Sequence, residues 1–271
     1  MRHVFGFALL YASLIFAQDG AQKATVPLDD ASRPARIRAH LMMGGITVRG
    51  GNVKEVTVEA RSRGNEDAPE RRPAESRGMK RLNLPGNAGL DITEEDNVIN
   101  IKTSSFGRPV DLVITAPRRS SLQLKCMNNG DIDVEGVEGD IEANNLNGRV
   151  ILKNVSGTVN AHSLNGQVSA ILDGVDPSKP LSFSTLNGDI DVTLPANPKA
   201  NVRMKTDHGE IYSDFEVKFE PGSRVEESDS QQKNGHYRLR FDRTLRGTIN
   251  GGGPEYQFTT FNGQIYLRKK K

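Results

Sequence analysis

Glycines at positions 130, 139, 148, 157 and 166 fall at a strict interval of nine. Aligned on glycine, the units read Gly-Asp-Ile-Asp-Val-Glu-Gly-Val-Glu, Gly-Asp-Ile-Glu-Ala-Asn-Asn-Leu-Asn, Gly-Arg-Val-Ile-Leu-Lys-Asn-Val-Ser and Gly-Thr-Val-Asn-Ala-His-Ser-Leu-Asn. The third, fifth and eighth places are apolar throughout: Ile132, Ile141, Val150 and Val159; Val134, Ala143, Leu152 and Ala161; Val137, Leu146, Val155 and Leu164. A unit this short cannot bury its own apolar residues, so it must stack on its neighbours. The same opening returns at wider spacing as Gly188-Asp189-Ile190, Gly209-Glu210-Ile211 and Gly263-Gln264-Ile265, which implies loops inserted between coils.

Asn-Gly is also a hairpin signal, so an antiparallel meander competes with a solenoid. Residue pairing decides between them. With Asn-Gly as the turn, Val137 would lie beside Asp140 and Leu146 beside Arg149, mixing core and solvent on one strand face. In a solenoid like positions stack on like, and all three apolar columns are expected to point inward. Asn precedes glycine at 129, 147, 165 and 187, alternating with Glu138 and Ser156, which makes the coil about 18 residues, two nonapeptide halves. Stacked Asn side chains can hydrogen-bond along such a ladder, and glycine relieves the corner of its Cβ. The fold class expected is all-β, a parallel β-solenoid or β-helix capped by N- and C-terminal strands.

The flanking sequence agrees. Ile37 to Leu41, Ile46 to Val48, Val56 to Val58, Leu90 to Ile92, Val98 to Ile101, Leu112 to Ile114 and Leu122 to Leu124 alternate as strands do. Arg2 and His3 precede an apolar run, Val4 to Phe16, too short to span a bilayer and followed at once by polar residues. Residues 1–17 therefore read as a secretory signal peptide and 18–35 as a linker. Residues 36–271 form a single domain: N-terminal strands over 36–117 with a mobile charged loop at 61–81, the regular repeat over 118–215, and C-terminal strands and cap over 216–271. With 36 Lys plus Arg against 34 Asp plus Glu, the chain has no general field to hold nucleic acid. Its single cysteine, Cys126, follows Leu122 and Leu124 at period two and is expected as a buried free thiol.

Residues 117–172, with Cys-Met-Asn-Asn-Gly-Asp-Ile-Asp-Val and its Asn-Gly successors, resemble the bacterial putative-adhesin family of β-strand-repeat proteins. Gly247-Thr248-Ile249-Asn250-Gly251-Gly252-Gly253-Pro254, followed by Thr259-Thr260-Phe261-Asn262-Gly263-Gln264-Ile265, is similar to the C-terminal end of that family. The resemblance covers roughly residues 36–270. It implies an exported all-β solenoid, a domain of unknown function with an adhesin label and no catalytic residues to transfer; a label inherited from fold says little about function.

Parallel solenoids also carry polysaccharide hydrolases and lyases, which use carboxylates on a sheet face. Asp131 with Asp133, and Asp189 with Asp191, are the pairs to consider, each separated by roughly 6.6 Å on one strand, within the span of inverting glycosidases. Arg149 is expected directly over Asp131 as a surface ion pair, and no Lys, His or aromatic cluster accompanies the acids. The glycine pattern lacks the regular Asp of calcium-binding rolls. His40, His162, His208 and His236 lack metal-ligand spacing, with His162 outward and His208 in a corner Asn place. The reading is an exported, non-enzymatic envelope protein, in the periplasm or at the cell surface, with no cofactor and no metal. Its outward residues Asp131, Asp133, Arg149, Asp189 and Asp191, with Asn160 and Ser169, would give shallow contact to a glycan or an envelope protein.

Overall fold

A computed structural model describes residues 13–16, 21–63, 90–103, 109–128, 130–220, 226–228, 240–242 and 244–271. Among these residues the chain forms strands and no helix. They are β1 (Ser13–Phe16), β2 (Ala21–Pro27), β3 (Ala35–Met43), β4 (Ile46–Gly51), β5 (Glu55–Ser62), β6 (Leu90–Glu95), β7 (Val98–Thr103) and β8 (Val110–Pro117). The repeat supplies β9 (Ser120–Asn128), β10 (Ile132–Glu135), β11 (Ile141–Asn147), β12 (Val150–Gly157), β13 (Val159–Asn165), β14 (Val168–Val175), β15 (Leu181–Asn187) and β16 (Ile190–Leu194). Then come β17 (Ala200–His208), β18 (Ile211–Ser213), β19 (Lys218–Phe219), β20 (Glu226–Ser228), β21 (Arg240–Asp242), β22 (Thr244–Ile249), β23 (Glu255–Asn262) and β24 (Ile265–Lys269).

Successive strands of the repeat alternate between two sheets, ordered β1-β2-β5-β8-β4-β10-β12-β14-β16-β24-β18 and β19-β22-β17-β23-β15-β13-β11-β9-β3-β7-β6. Their inward side chains form one core between the sheets. Pairing within the repeat is parallel, as the stacked pattern requires. Ile132 lies beside Val150, Val150 beside Val168, and Ile141 beside Val159, an offset of 18 residues. The offset is 19 between β9 and β11 and widens to 22 between Val168 and Ile190, where residues 176–180 add a loop.

The two nonapeptide halves are not equivalent, and this corrects the expectation of three inward columns. In β10 and β12 the seventh residue is left-handed, Gly136 at φ 69° and Asn154 at φ 52°, so the chain turns and Val137 and Val155 enter the core. In β11 and β13 no such residue intervenes. Strand alternation continues, Asn145 and Ser163 go inward, and Leu146 and Leu164 face out.

The inward polar residues form a column of their own. Cys126, Asn145, Ser163, Thr185 and Thr260 stand side by side in adjacent strands, followed by Thr206. Each donates to a corner-glycine carbonyl of a neighbouring coil: Ser163 to Gly148 at 2.8 Å, Thr185 to Gly166 at 2.9 Å, Thr260 to Gly188 at 2.9 Å, Thr206 to Gly263 at 2.8 Å. Asn145 donates to Gly130 at 3.0 Å, and Cys126 reaches Gly44 at 2.7 Å. Cys126 is thus a buried free thiol, which burial pushes up to about 11.

Corner glycines are needed because the corners touch. A Cβ added to Gly166 would fall inside contact distance of the Gly148 carbonyl, and one added to Gly188 would meet Gly166. Backbone cannot swing aside as a side chain does. We expect Gly166→Ala to cost about 1–3 kcal/mol or more in urea unfolding, because the corner is overpacked; an unchanged midpoint would mean that the corners are loosely stacked.

The ends of the chain are threaded into the stack. β3 and β4 insert between β7–β8 and β9–β10, and β23 and β24 insert between β15–β16 and β17–β18. The C-terminal segment is therefore an internal rung: Phe258 stacks on Phe183 with ring centroids 5.5 Å apart, and Ile265 sits between Ile190 and Ile211. Of the strands expected to cap this end, β23 and β24 are thus internal, whereas β19 and β22 lie at the end of the second sheet, beyond β17. At the other end β2 and β5 pair antiparallel, as do β6 and β7. Residues 21–27, read as linker, are strand β2, with small apolar Ala21, Ala24 and Val26 buried. The expected signal peptide lies outside the described residues except for β1, which pairs antiparallel with β2. The 61–81 loop lies outside them from residue 64 on, and Arg61 and Ser62 end β5.

Candidate functional site

Asp131, Asp133, Arg149, Asp189, Asp191 and Ser169 lie on the outer side of the first sheet, whereas Asn160 is on the second. Each of the four named carboxylates has a partner on a neighbouring rung. Asp131 accepts from the Arg149 backbone and guanidinium, both at 2.7 Å. Asp133 meets Lys153 at 3.3 Å, and Asp191 meets Arg268 at 2.7 Å. Asp189 accepts from the Gln264 backbone N–H at 2.8 Å, and Asp111, two rungs from Asp131 across the inserted β4, accepts from Gly45 at 2.9 Å. Corner Asp side chains are therefore braces between rungs. Burial pushes the Asp131 carboxyl up, but the bonds donated by Arg149 outweigh it and hold the group below the usual carboxylate range. Ser169 stands beside Asp191. Two aromatic residues missed in the sequence, Tyr212 and Tyr266, stack at 5.3 Å, with Arg268 5.2 Å from the Tyr266 ring centroid.

The second sheet presents a different face. At its corner runs an unbroken amide ladder: Asn147 donates to Asn128, Asn165 to Asn147, Asn187 to Asn165 and Asn262 to Asn187, each at 2.8 Å. Asn128 takes the place expected for Asn129, which lies outside the described residues. His208 continues the ladder position beside Asn262, against Phe261 at 5.0 Å. Next to the ladder lies an outward apolar row, Met42, Met127, Leu146, Leu164, Leu186 and Phe261, in which Met42, Leu186 and Phe261 are 46%, 41% and 43% exposed. Further across the sheet, His162 pairs with Ser184, its Nδ1 2.8 Å from the hydroxyl.

Near the N-terminal end of this face an open groove of about 410 Å³ is lined by Arg36, Arg38, Ser121, Gln123, Asp140, Glu142, Thr158 and Asn160. Alternation in β3 sets it up: Ala35, Ile37, Ala39 and Leu41 go inward, so Arg36, Arg38 and His40 go outward. Gln123 donates to Glu142 at 3.0 Å, and Lys179 donates to Asp140 at 2.9 Å and holds its carboxyl low. Among the described residues no three His, Cys, Asp or Glu side chains gather as a metal site.

Residues 128–244 match the family model described as Toastrack DUF4097. This stretch, less than half of the chain, is similar to that family. The stack continues past the matched residues on both sides, and the rung made by β23 and β24 lies between matched rungs in space while following them in sequence. Two solved structures align with most of this chain. A putative cell adhesion protein from Clostridium sporogenes is 11% identical, covers 92% of this chain and all of its own, and has a TM-score of 0.47. A putative adhesin from Bacteroides fragilis is 12% identical, covers 92% of this chain and 97% of its own, and has a TM-score of 0.39. No curated protein matches the chain.

Proposed function

We propose that the protein is an exported, non-enzymatic component of the bacterial envelope that binds a glycan or an envelope protein through the outer faces of its solenoid. One observation carries this reading. Asp131, Asp133, Asp189 and Asp191 are all engaged by groups on neighbouring strands, so none stands free to move a proton or activate water. What remains outward is flat: ordered amides and hydroxyls, an apolar row and an open groove, which suit shallow contact with an extended ligand. Export rests on residues 1–17, with cleavage expected near Ala17 in the mature protein.

The purified protein should bind on a glycan array or to envelope extracts and release no reducing ends or unsaturated products from polysaccharides. Turnover that disappears in Asp131→Asn would sink the binding-only account and install the carbohydrate-active enzyme in its place. Protease shaving of intact cells separates the surface from the periplasm: digestion there supports adhesion, and full resistance assigns the binding to a periplasmic partner.

A further inference from the structure

On the first sheet, cations stand opposite acids: Arg149 meets Asp131, Lys153 meets Asp133, and Arg268 meets Asp191. The N-terminal end of the second sheet gathers basic side chains. Lys102 and Lys125 both lie in direct register with His40, one on each side, so three basic side chains stack across β7, β3 and β9, about 4.8 Å apart. Arg38 and Arg36 precede His40 at two-residue steps on the same exposed face. None of these five side chains makes a hydrogen bond or ion pair with a described residue. The acids nearest in register are Asp91 beside Lys102, Glu95 beyond Val98 from Arg36, Asp140 in the groove, which Lys179 holds, and Glu142 beyond Gln123, which is already held by Gln123 and Asn144.

Lys102 and Lys125 flank His40, and with Arg36 and Arg38 they make a local positive field that an anion laid across them neutralises. We infer that this basic strip, with the adjoining groove, is a docking track for an acidic polysaccharide. The inference rests on the binding function proposed above and names its ligand class. Carboxylates of the polymer would lie over Lys102, Lys125 and Arg38. Its hydroxyls would meet the amides of Gln123 and Asn160 in the groove, and the C–H faces of its rings would pack on Met42 and Met127. A lipid headgroup layer matches the cations but has no use for a row of amides and hydroxyls beside them.

Polygalacturonate serves as the probe, with neutral dextran and phosphatidylglycerol vesicles as comparisons. The protein should retain polygalacturonate, lose it as salt rises, and ignore dextran. Lys102→Glu combined with Lys125→Glu should weaken binding about tenfold or more while leaving the thermal midpoint unchanged or raised. Lys199→Glu with Lys218→Glu, an equal change of net charge at exposed positions elsewhere, should bind as the parent does. Equal losses in both double variants would reduce the effect to net charge and overturn the track. Retention by vesicles without polygalacturonate would overturn it in favour of a membrane surface. Binding of neutral glycans alone would overturn the acidic ligand and leave the proposed function standing, whereas cleavage of polygalacturonate would defeat the non-enzymatic reading itself.

Discussion

A chain ending at Asn250 should lose its ordered structure from about residue 195 onward. The missing segment is an internal rung, so β15–β16 and β17–β18 would be left facing a gap where β23 and β24 belong. Tyr256, Phe258, Ile265 and Leu267 are almost wholly buried. At about 1.5–3 kcal/mol for each large side chain, their removal takes away an amount comparable with the whole stability of an ordinary domain, ~5–15 kcal/mol. Phe183 also loses its stacked partner. Because each rung contacts only its neighbours, the damage should be directional: limited proteolysis should digest residues 195–250 while β9 to β14 stay protected. If these strands merely closed the end, the truncated protein would keep β17 and β18 protected and its midpoint would move only slightly. That result would reject the threaded topology.

The threading shows where sequence reading stopped. Like-on-like stacking of Ile132, Val150 and Val168 was legible because a nine-residue period leaves one arrangement that keeps apolar residues together. Order along the stack is another matter. Gly263-Gln264-Ile265 carries the same motif as Gly188-Asp189-Ile190, and a motif says that a segment is a rung without saying which rungs flank it. The outward turn of Leu146 and Leu164 was within reach: Gly136 and Asn154, which tolerate positive φ, alternate with Asn145 and Ser163 at the same place in the unit. The consequence of that alternation is that one half coil bends where the other runs straight. Strand β2 was missed because Ala-Gln-Lys-Ala-Thr-Val places small residues inward, and alternation between alanine and polar residues is a weak signal. On the functional side, the bond from Arg149 to Asp131 followed from the repeat alone. The groove and basic strip did not, because they join β3, β7 and β9, segments distant in sequence that are brought together by the insertion of β3.

Val150→Asp should abolish the folded state at neutral pH. Val150 is fully buried, paired with Ile132 on one side and Val168 on the other. The substitution removes about 1.5–3 kcal/mol of apolar burial and leaves a carboxylate with no cation in reach, an uncompensated buried charge costing about 3–5 kcal/mol. Together these match the stability of a domain of this kind. The chain's escape is to protonate the new carboxyl, whose pKa in the folded state must rise above its unfolded value. A group with a raised folded pKa favours folding while protonated and withdraws that support as pH climbs through the folded value. The variant should therefore recover β-sheet circular dichroism as pH falls toward the unfolded carboxyl pKa, about 3.9. The parent should move the other way, since Asp131 and Asp140 are held low by Arg149 and Lys179 and their support is lost on acidification. Opposite pH trends in the two proteins would show that residue 150 faces a dry interior between the sheets. A variant as stable as the parent at pH 7 would place residue 150 in water and dismantle the stacked core.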